Sequence, residues 1–205
     1  MSRFVVSDHH FGHANIIKYC DRPFTSVGDM DTTLLNRHFE TVEPDDVVIH
    51  LGDVAMDMRT GEDTIEQMEA IGGDLLVQGN HDVGLSDGQA PFPVLDSCVL
   101  THGEYAFYCT HRPADVPDRW DGWVLHGHIH NNDLDTYPFL SYDDQRVNVG
   151  VDLLAGSSRP RSRYVGGPGD GCSGASRGHT RRHRIQSCHR ERHVRTNHSA
   201  SRTGG

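Results

Sequence analysis

Val47-Val48-Ile49-His50-Leu51-Gly52-Asp53 is an apolar run that stops at Gly-Asp. The apolar part reads as a buried strand, and Asp53 falls where the strand gives way to a loop. Four other stretches repeat the arrangement. Arg3-Phe4-Val5-Val6-Ser7 runs into Asp8-His9-His10, and Asp74-Leu75-Leu76-Val77-Gln78 into Gly79-Asn80-His81-Asp82. Tyr105 to Thr110 runs into His111, and Trp123-Val124-Leu125-His126 into Gly127-His128-Ile129-His130. Five hydrophobic runs thus deliver Asp, Asn or His at their C-terminal ends, the edge at which open α/β sheets bind ligands. The spacing predicts one metal site with Asp53 at its centre.

Around these runs the pattern divides in two. Ile16, Ile17 and Tyr19 predict a helical turn or two before Arg22-Pro23. Ser26 with Asp29 resembles a capping box, and Met30, Leu34, Leu35 and Phe39 predict a helix over Val27–Thr41. Thr60 with Asp63 reads as a second cap. Ile65, Met68 and Ile71 line the helix that follows, and Gly72-Gly73 stops it. This β-α-β-α-β order implies parallel strands with right-handed crossovers. Residues 83–93 read as a loop. Beyond it come strands at Ser97–Thr101, Glu104–Thr110, Gly122–His126 and Arg146–Leu153, with a hairpin turn at His102-Gly103. An α/β half followed by a β-rich half predicts an α/β fold of two packed sheets flanked by helices.

Charge separates the body from a tail. The 205 residues carry a net charge of −10. Residues 156–205 hold eleven Arg and two acids, so residues 1–155 carry −19, with Lys18 as their one lysine. The tail is rich in Gly, Ser, Arg and His and lacks the aliphatic residues of a core, which predicts disorder. Its abrupt change of composition is also what out-of-frame translation would produce. Five cysteines without a C-x-x-C pair read as free thiols in a reducing compartment. No run approaches the roughly 18 apolar residues of a membrane span, and no leader pattern precedes the first strand. The expectation is a cytoplasmic protein with no membrane partner.

Taken in order, Asp8-x-His10, Gly52-Asp53, Gly79-Asn80-His81-Asp82, His111 and Gly127-His128-x-His130 resemble the calcineurin-like metallophosphoesterase superfamily. Ser7-Asp8-His9-His10-Phe11-Gly12-His13, Arg22-Pro23-Phe24 and Asn148-Val149-Gly150-Val151-Asp152 resemble its small phage and bacterial metallophosphatase group. The resemblance spans residues 1–155 and implies a four-layer αββα domain. It also implies a binuclear centre with a bridging hydroxide that hydrolyses a phosphoester. By matched motif, Asp8, His10, Asp53 and His130 would hold one ion, and Asp53, Asn80, His111 and His128 the other. His81 would protonate the leaving oxygen, and Asp82 would orient it.

The donor types agree with that implication. A mixed Asp, Asn and His set suits two divalent ions, Mn²⁺ with Fe²⁺ or Zn²⁺ as alternatives, and not a thiolate zinc site. Two such ions can clamp a phosphate and lower the pKa of bound water to about 7. A phosphodiester is the expected substrate, because the stretch between Asp82 and His111 is too short for a cap and leaves the site open. A monoesterase or a nuclease is the alternative chemistry. The acidic body disfavours the nuclease; nucleic-acid binding through the arginine tail is the alternative without catalysis, disfavoured because every ligand position is filled. His13, Asn15 and Arg112 are candidate substrate contacts. His50 reads as a hydrogen-bonded core histidine, His9 as site rim, His126 as strand end and Arg22 as structural.

Overall fold

The computed structural model describes residues 1–56, 60–85 and 88–155. The expectations for residues 156–205 lie outside them. The first sheet is parallel, in the order β1 (Arg3–Val6), β2 (Val47–His50), β3 (Gly73–Val77), β4 (Val94–Leu95). The second runs β5 (Ser97–His102), β6 (Tyr105–Thr110), β7 (Trp123–His126), β9 (Arg146–Asn148), β8 (Leu140–Ser141). Its middle strands β6, β7 and β9 are mutually parallel, while β5 and β8 are antiparallel edges. Two sheets with flanking helices are what the sequence predicts.

Alternation along the first sheet explains both cores. Val6, Val48 and Leu76 point to one face and pack with Met30 and Leu34 of α2 (Val27–Phe39) and Met68 of α3 (Glu62–Ala70). Ile49, Leu51, Leu75 and Val77 point the other way and meet Cys98, Cys109, Leu125 and Val147 of the second sheet. A strand buried on both faces has to read as a continuous apolar run, as Val47–Leu51 does.

Two local expectations are corrected, and one short strand was not expected. The last strand does not run to Leu153. It ends at Asn148, whose Oδ1 accepts from Gly150 N at 3.1 Å, and Val151–Ala155 is helix α4. The side chain of Asn148 thus closes the turn itself, in the way that favours Asn outside strands. Thr60 is not the cap of α3. Gly61 occupies that position with φ of 76°, and Thr60 Oγ1 accepts from Glu62 N one residue earlier in the pattern. The loop over 83–93 leads into a short strand, Val94–Leu95, that is too brief for periodicity to register. The first cap holds, with Ser26 Oγ accepting from Asp29 N at 3.2 Å.

The two sheets join at their C-terminal edges. Ser7 N donates to Val149 O and Val151 N to Ser7 O, a parallel bridge between β1 and the exit of β9. All five sequence runs therefore end in one place.

Candidate metal centre

Tight turns bring the donors together. Asp8, His10, Asp53, His128 and His130 all have positive φ, between 55° and 71°. Only Asp21 and Gln145 share that conformation among the other described non-glycine residues. Left-handed backbone costs a non-glycine residue on the order of 1–3 kcal/mol, and such strain concentrates at functional sites. Glycine opens the space that remains. A Cβ at Gly79 would overlap the Asp53 carboxylate and amide, and one at Gly127 the Ser7 hydroxyl and the Asp8 carboxylate. At Gly52, with φ of 93°, it would lie 2.5 Å from Gly79 N.

Two donor clusters result, Asp8 with His10 and His130, and Asp53 with His111 and His128; a third, His10 with Asp53 and His81, links them. Asp53 Oδ2 lies 3.4 Å from His10 Nε2 on one side and 3.4 Å from His111 Nε2 on the other. Its Oδ1 is held by His81 N at 2.8 Å. Asn80 Oδ1 is 3.2 Å from His111 Nε2, and His128 Nδ1 is 3.2 Å from the same atom. The seven residues expected to bind metal are thus brought together, with Asp53 between the two halves.

Hydrogen bonds select the imidazole atoms that face inward. His111 Nδ1 donates to Leu51 O at 2.8 Å, and His130 Nδ1 to Asp152 Oδ2 at 2.7 Å. Carbonyl and carboxylate oxygens only accept, so in the neutral, metal-binding form both rings carry their proton on Nδ1 and turn the Nε2 lone pair toward the centre. That is how metal-binding histidines are usually set. His10 Nε2 is buried with no hydrogen-bond partner. An imidazole nitrogen left bare inside a cluster of carboxylates fits a divalent cation, as does the N/O donor set.

The electrostatics describe a site built for positive charge. Burial raises the carboxyl of Asp8. Burial also opposes the ionised form of Asp53, but the hydrogen bond and charge of His111 and the charge of His10 hold it below the usual range. Burial works against the cation of His111, yet the Asp53 hydrogen bond and the Asp8 charge lift it to about 9. His130 is lifted to about 10 against burial, mainly by Asp152. Burial takes His10 down to about 2, and burial with the His111 charge takes His128 to about 4.

His81 packs its ring 5.0 Å from His10 and 5.8 Å from His13. Asp82 does not orient it. The Asp82 carboxylate is fully buried and accepts from Asp53 N at 2.7 Å, Gly79 N at 2.8 Å and Val54 N at 3.1 Å. It pins the exit of β3 to the exit of β2, and His81 Nδ1 has no partner. A carboxylate among converging N–H groups binds them in preference to a side chain that must be held by one rotamer. His13 Nδ1 reaches to 3.4 Å from His10 Nδ1. Asn15 is exposed at the start of α1 (Ile16–Tyr19), where its side chain makes no capping bond. Arg112 is exposed and lines a cleft of about 360 Å³ together with Asn80, His111, Asp96 and Tyr108.

His50 is the core histidine expected. Gly52 N donates to its Nδ1 at 3.1 Å, so Nε2 carries the proton and donates to His9 Nδ1 at 2.8 Å. That contact corrects His9 from site rim to buried core, 3% exposed and stacked on Phe11. His126 ends β7 fully buried, with Nδ1 donating to Gly127 O at 3.0 Å.

Two participants were not read as site residues. Arg22 and Asp152 are both buried, and Arg22 Nε donates to Asp152 Oδ1 at 2.7 Å. Their signal in the sequence was a charge beside an apolar run at each end of the domain, which spacing alone does not join. Cys20, His130 and Asp152 also form a cluster with ligand spacing. The Arg22 cation already neutralises Asp152 there, so a second positive ion is disfavoured.

The comparisons agree with this geometry. A family model described as the calcineurin-like phosphoesterase superfamily domain matches residues 1–151. An uncharacterized protein of Methanocaldococcus jannaschii is 36% identical over 153 residues, covering 74% of this chain and 82% of that protein. A crystal structure of a protein of unknown function from Aquifex aeolicus superposes with a TM-score of 0.55 at 20% identity. It covers 76% of this chain and 93% of that one, a likeness of fold. Among the described residues no helix is long and apolar enough to cross a membrane.

Proposed function

Because the chain belongs to the calcineurin-like phosphoesterase superfamily, a family of metal-dependent phosphoester hydrolases, we propose that it is a phosphodiesterase with a binuclear centre. The observation that carries the binuclear reading is Asp53 Oδ2, equidistant at 3.4 Å from His10 Nε2 and His111 Nε2. Asp8, His10, Asp53 and His130 would hold one ion, and Asp53, Asn80, His111 and His128 the other. Mn²⁺ is the first choice on donor type, with Fe²⁺ and Zn²⁺ behind it. When bound, the ions supply Lewis-acid polarisation of the phosphoryl oxygens and a water acidic enough to act as nucleophile near neutral pH.

The chain's own groups do the rest. Asn80 and His111 border the cleft, so a phosphoryl group at the centre would leave one organic substituent in it. A second ester group would lie outside that cleft, over a site that the short stretch between Asp82 and His111 leaves uncapped, which keeps the diester as the first choice. Arg112, on the same cleft and in no ion pair among the described residues, would donate to a non-bridging oxygen. His81 is the candidate donor to the leaving oxygen, since its amide is fixed on Asp53 and its ring stands against His10. His13 flanks both rings and would contact substrate or its water. Asp82 holds the two strand exits in register and is a positioning residue.

The test is turnover of a chromogenic phosphodiester and the matching monoester by the full chain, stripped of metal and resupplied with Mn²⁺. Diester turnover that needs Mn²⁺, disappears in Asp53→Asn and falls about 10²–10⁴-fold in His81→Ala is the expected result. Turnover of the monoester alone overturns the diester reading. A folded, Mn²⁺-loaded chain that hydrolyses neither overturns the esterase reading.

A further inference from the structure

Arg22 sits behind the first metal position, with Nη1 also 3.3 Å from Met30 Sδ of α2. Its Nη2 donates to Asp8 O at 2.7 Å, its Nη1 to His9 O at 2.7 Å, and its Nε and Nη2 to the Asp152 carboxylate at 2.7 and 3.2 Å. Asp152 in turn receives His130 Nδ1 at 2.7 Å. Arg22 is 7% exposed and Asp152 9%, so neither contact is diluted by solvent. One guanidinium thus ties the loop after β1, where Asp8 and His10 have positive φ, to the ring of His130 through the first turn of α4.

The second metal position meets this network only through Asp8, whose carboxylate accepts from His128 N at 3.1 and 3.0 Å. His111 is set by the Leu51 carbonyl, and Asn80 and His128 make no contact with Arg22 or Asp152. The loop holding Asp53 is anchored separately by Asp82. The two halves of the centre are therefore supported by different buried groups.

We propose that Arg22 and Asp152 are positioning residues for the position of Asp8, His10 and His130, and set its metal affinity far more than that of the other position. The proposal rests on the binuclear reading above. Asp152 fixes which nitrogen of His130 faces the ion, and Arg22 fixes Asp152 and holds the carbonyl of strained Asp8. A lysine cannot replace it, because one ammonium does not span two carbonyls and a carboxylate in a planar fork. Loss of such outer partners typically costs about 10–100-fold in metal affinity.

The experiment is Mn²⁺ binding to the full chain by calorimetry and equilibrium dialysis, with folding checked by urea unfolding. Either single variant leaves a buried charge unpaired and is expected to fold poorly. The paired change Arg22→Met with Asp152→Leu removes both charges at similar volume, which cores commonly tolerate. The expected result is a folded chain binding one Mn²⁺ as in wild type and the other about 10–100-fold more weakly. Adding His130→Ala to the pair should then cost little more, because the ring it removes is already misplaced. Wild-type affinity for both ions in the paired variant overturns the proposal, as does equal weakening of both in a folded chain. A full additional loss on adding His130→Ala also overturns it. A wild-type chain that takes up a single Mn²⁺ overturns the binuclear reading itself, and this proposal with it.

Discussion

Replacing Asp82 by Ala distinguishes two roles for a carboxylate next to a candidate catalytic histidine. The structure gives Asp82 three backbone N–H partners, on Asp53, Val54 and Gly79, at 2.7, 3.1 and 2.8 Å. Asp53 and Val54 are buried, Gly79 is half-buried at the edge of the cleft, and Asp82 is itself fully buried. Leaving a buried donor unpaired costs about 1–3 kcal/mol, so with Asp53 N and Val54 N both buried Asp82→Ala should lose roughly 2–6 kcal/mol of stability. That is a large part of the roughly 5–15 kcal/mol that folds a domain. Asp82→Asn keeps one acceptor oxygen but turns an amide toward N–H groups, and should lose about 1–3 kcal/mol. Urea unfolding of the metal-free chain in chelator measures both without reference to turnover. Mn²⁺ binding should weaken at both positions, because Asp53, which they share, loses the anchor of its own amide. A loss of activity in Asp82→Ala with stability changed by less than about 1 kcal/mol would refute this reasoning. It would return Asp82 to the role of orienting His81.

The remaining predictions concern packing and protons. Gly127→Ala puts a Cβ onto Ser7 Oγ and the Asp8 carboxylate, and should cost about 1–3 kcal/mol and the Mn²⁺ bound through Asp8. Gly28→Ala, whose Cβ meets nothing within 4 Å on α2, should be neutral or stabilise by up to about 1 kcal/mol, which thermal unfolding of the pair will check. Burial lowers the pKa of His9, His38, His50 (to about 3) and His126. The unfolded chain therefore binds protons that the fold refuses, and stability should fall as pH drops below about 6.5. His111 and His130, lifted to about 9 and about 10, act in the opposite sense. Their contribution is complete below about 6.5 and is lost as pH rises through those values in the metal-free chain. Urea midpoints across pH should trace both limbs, and saturating Mn²⁺ should flatten the alkaline one, because bound metal takes the place of the protons.

Much of this protein was legible in its sequence, and for a physical reason. Strands buried on both faces must be apolar throughout, so Val47–Leu51 announces itself, and the polar residue that ends such a run must lie at the sheet edge. Asp8, Asp53, Asn80, His111 and His128 were found in that way, each local to its own strand. The positions of Asp82, His9 and Arg22 were not, because their partners are 28, 41 and 130 residues away in Val54, His50 and Asp152. Periodicity reports which face of an element is buried and says nothing about which N–H groups a buried carboxylate will meet. Asp82, next to His81 in sequence, bonds the backbone of another strand exit; Arg22, twelve residues beyond His10, holds a carbonyl and a carboxylate from opposite ends of the domain. The sequence by itself determined the donors and the edge at which they gather. Only the tertiary structure decided how they are held, because that depends on hydrogen bonds between segments that meet when the two sheets close on each other.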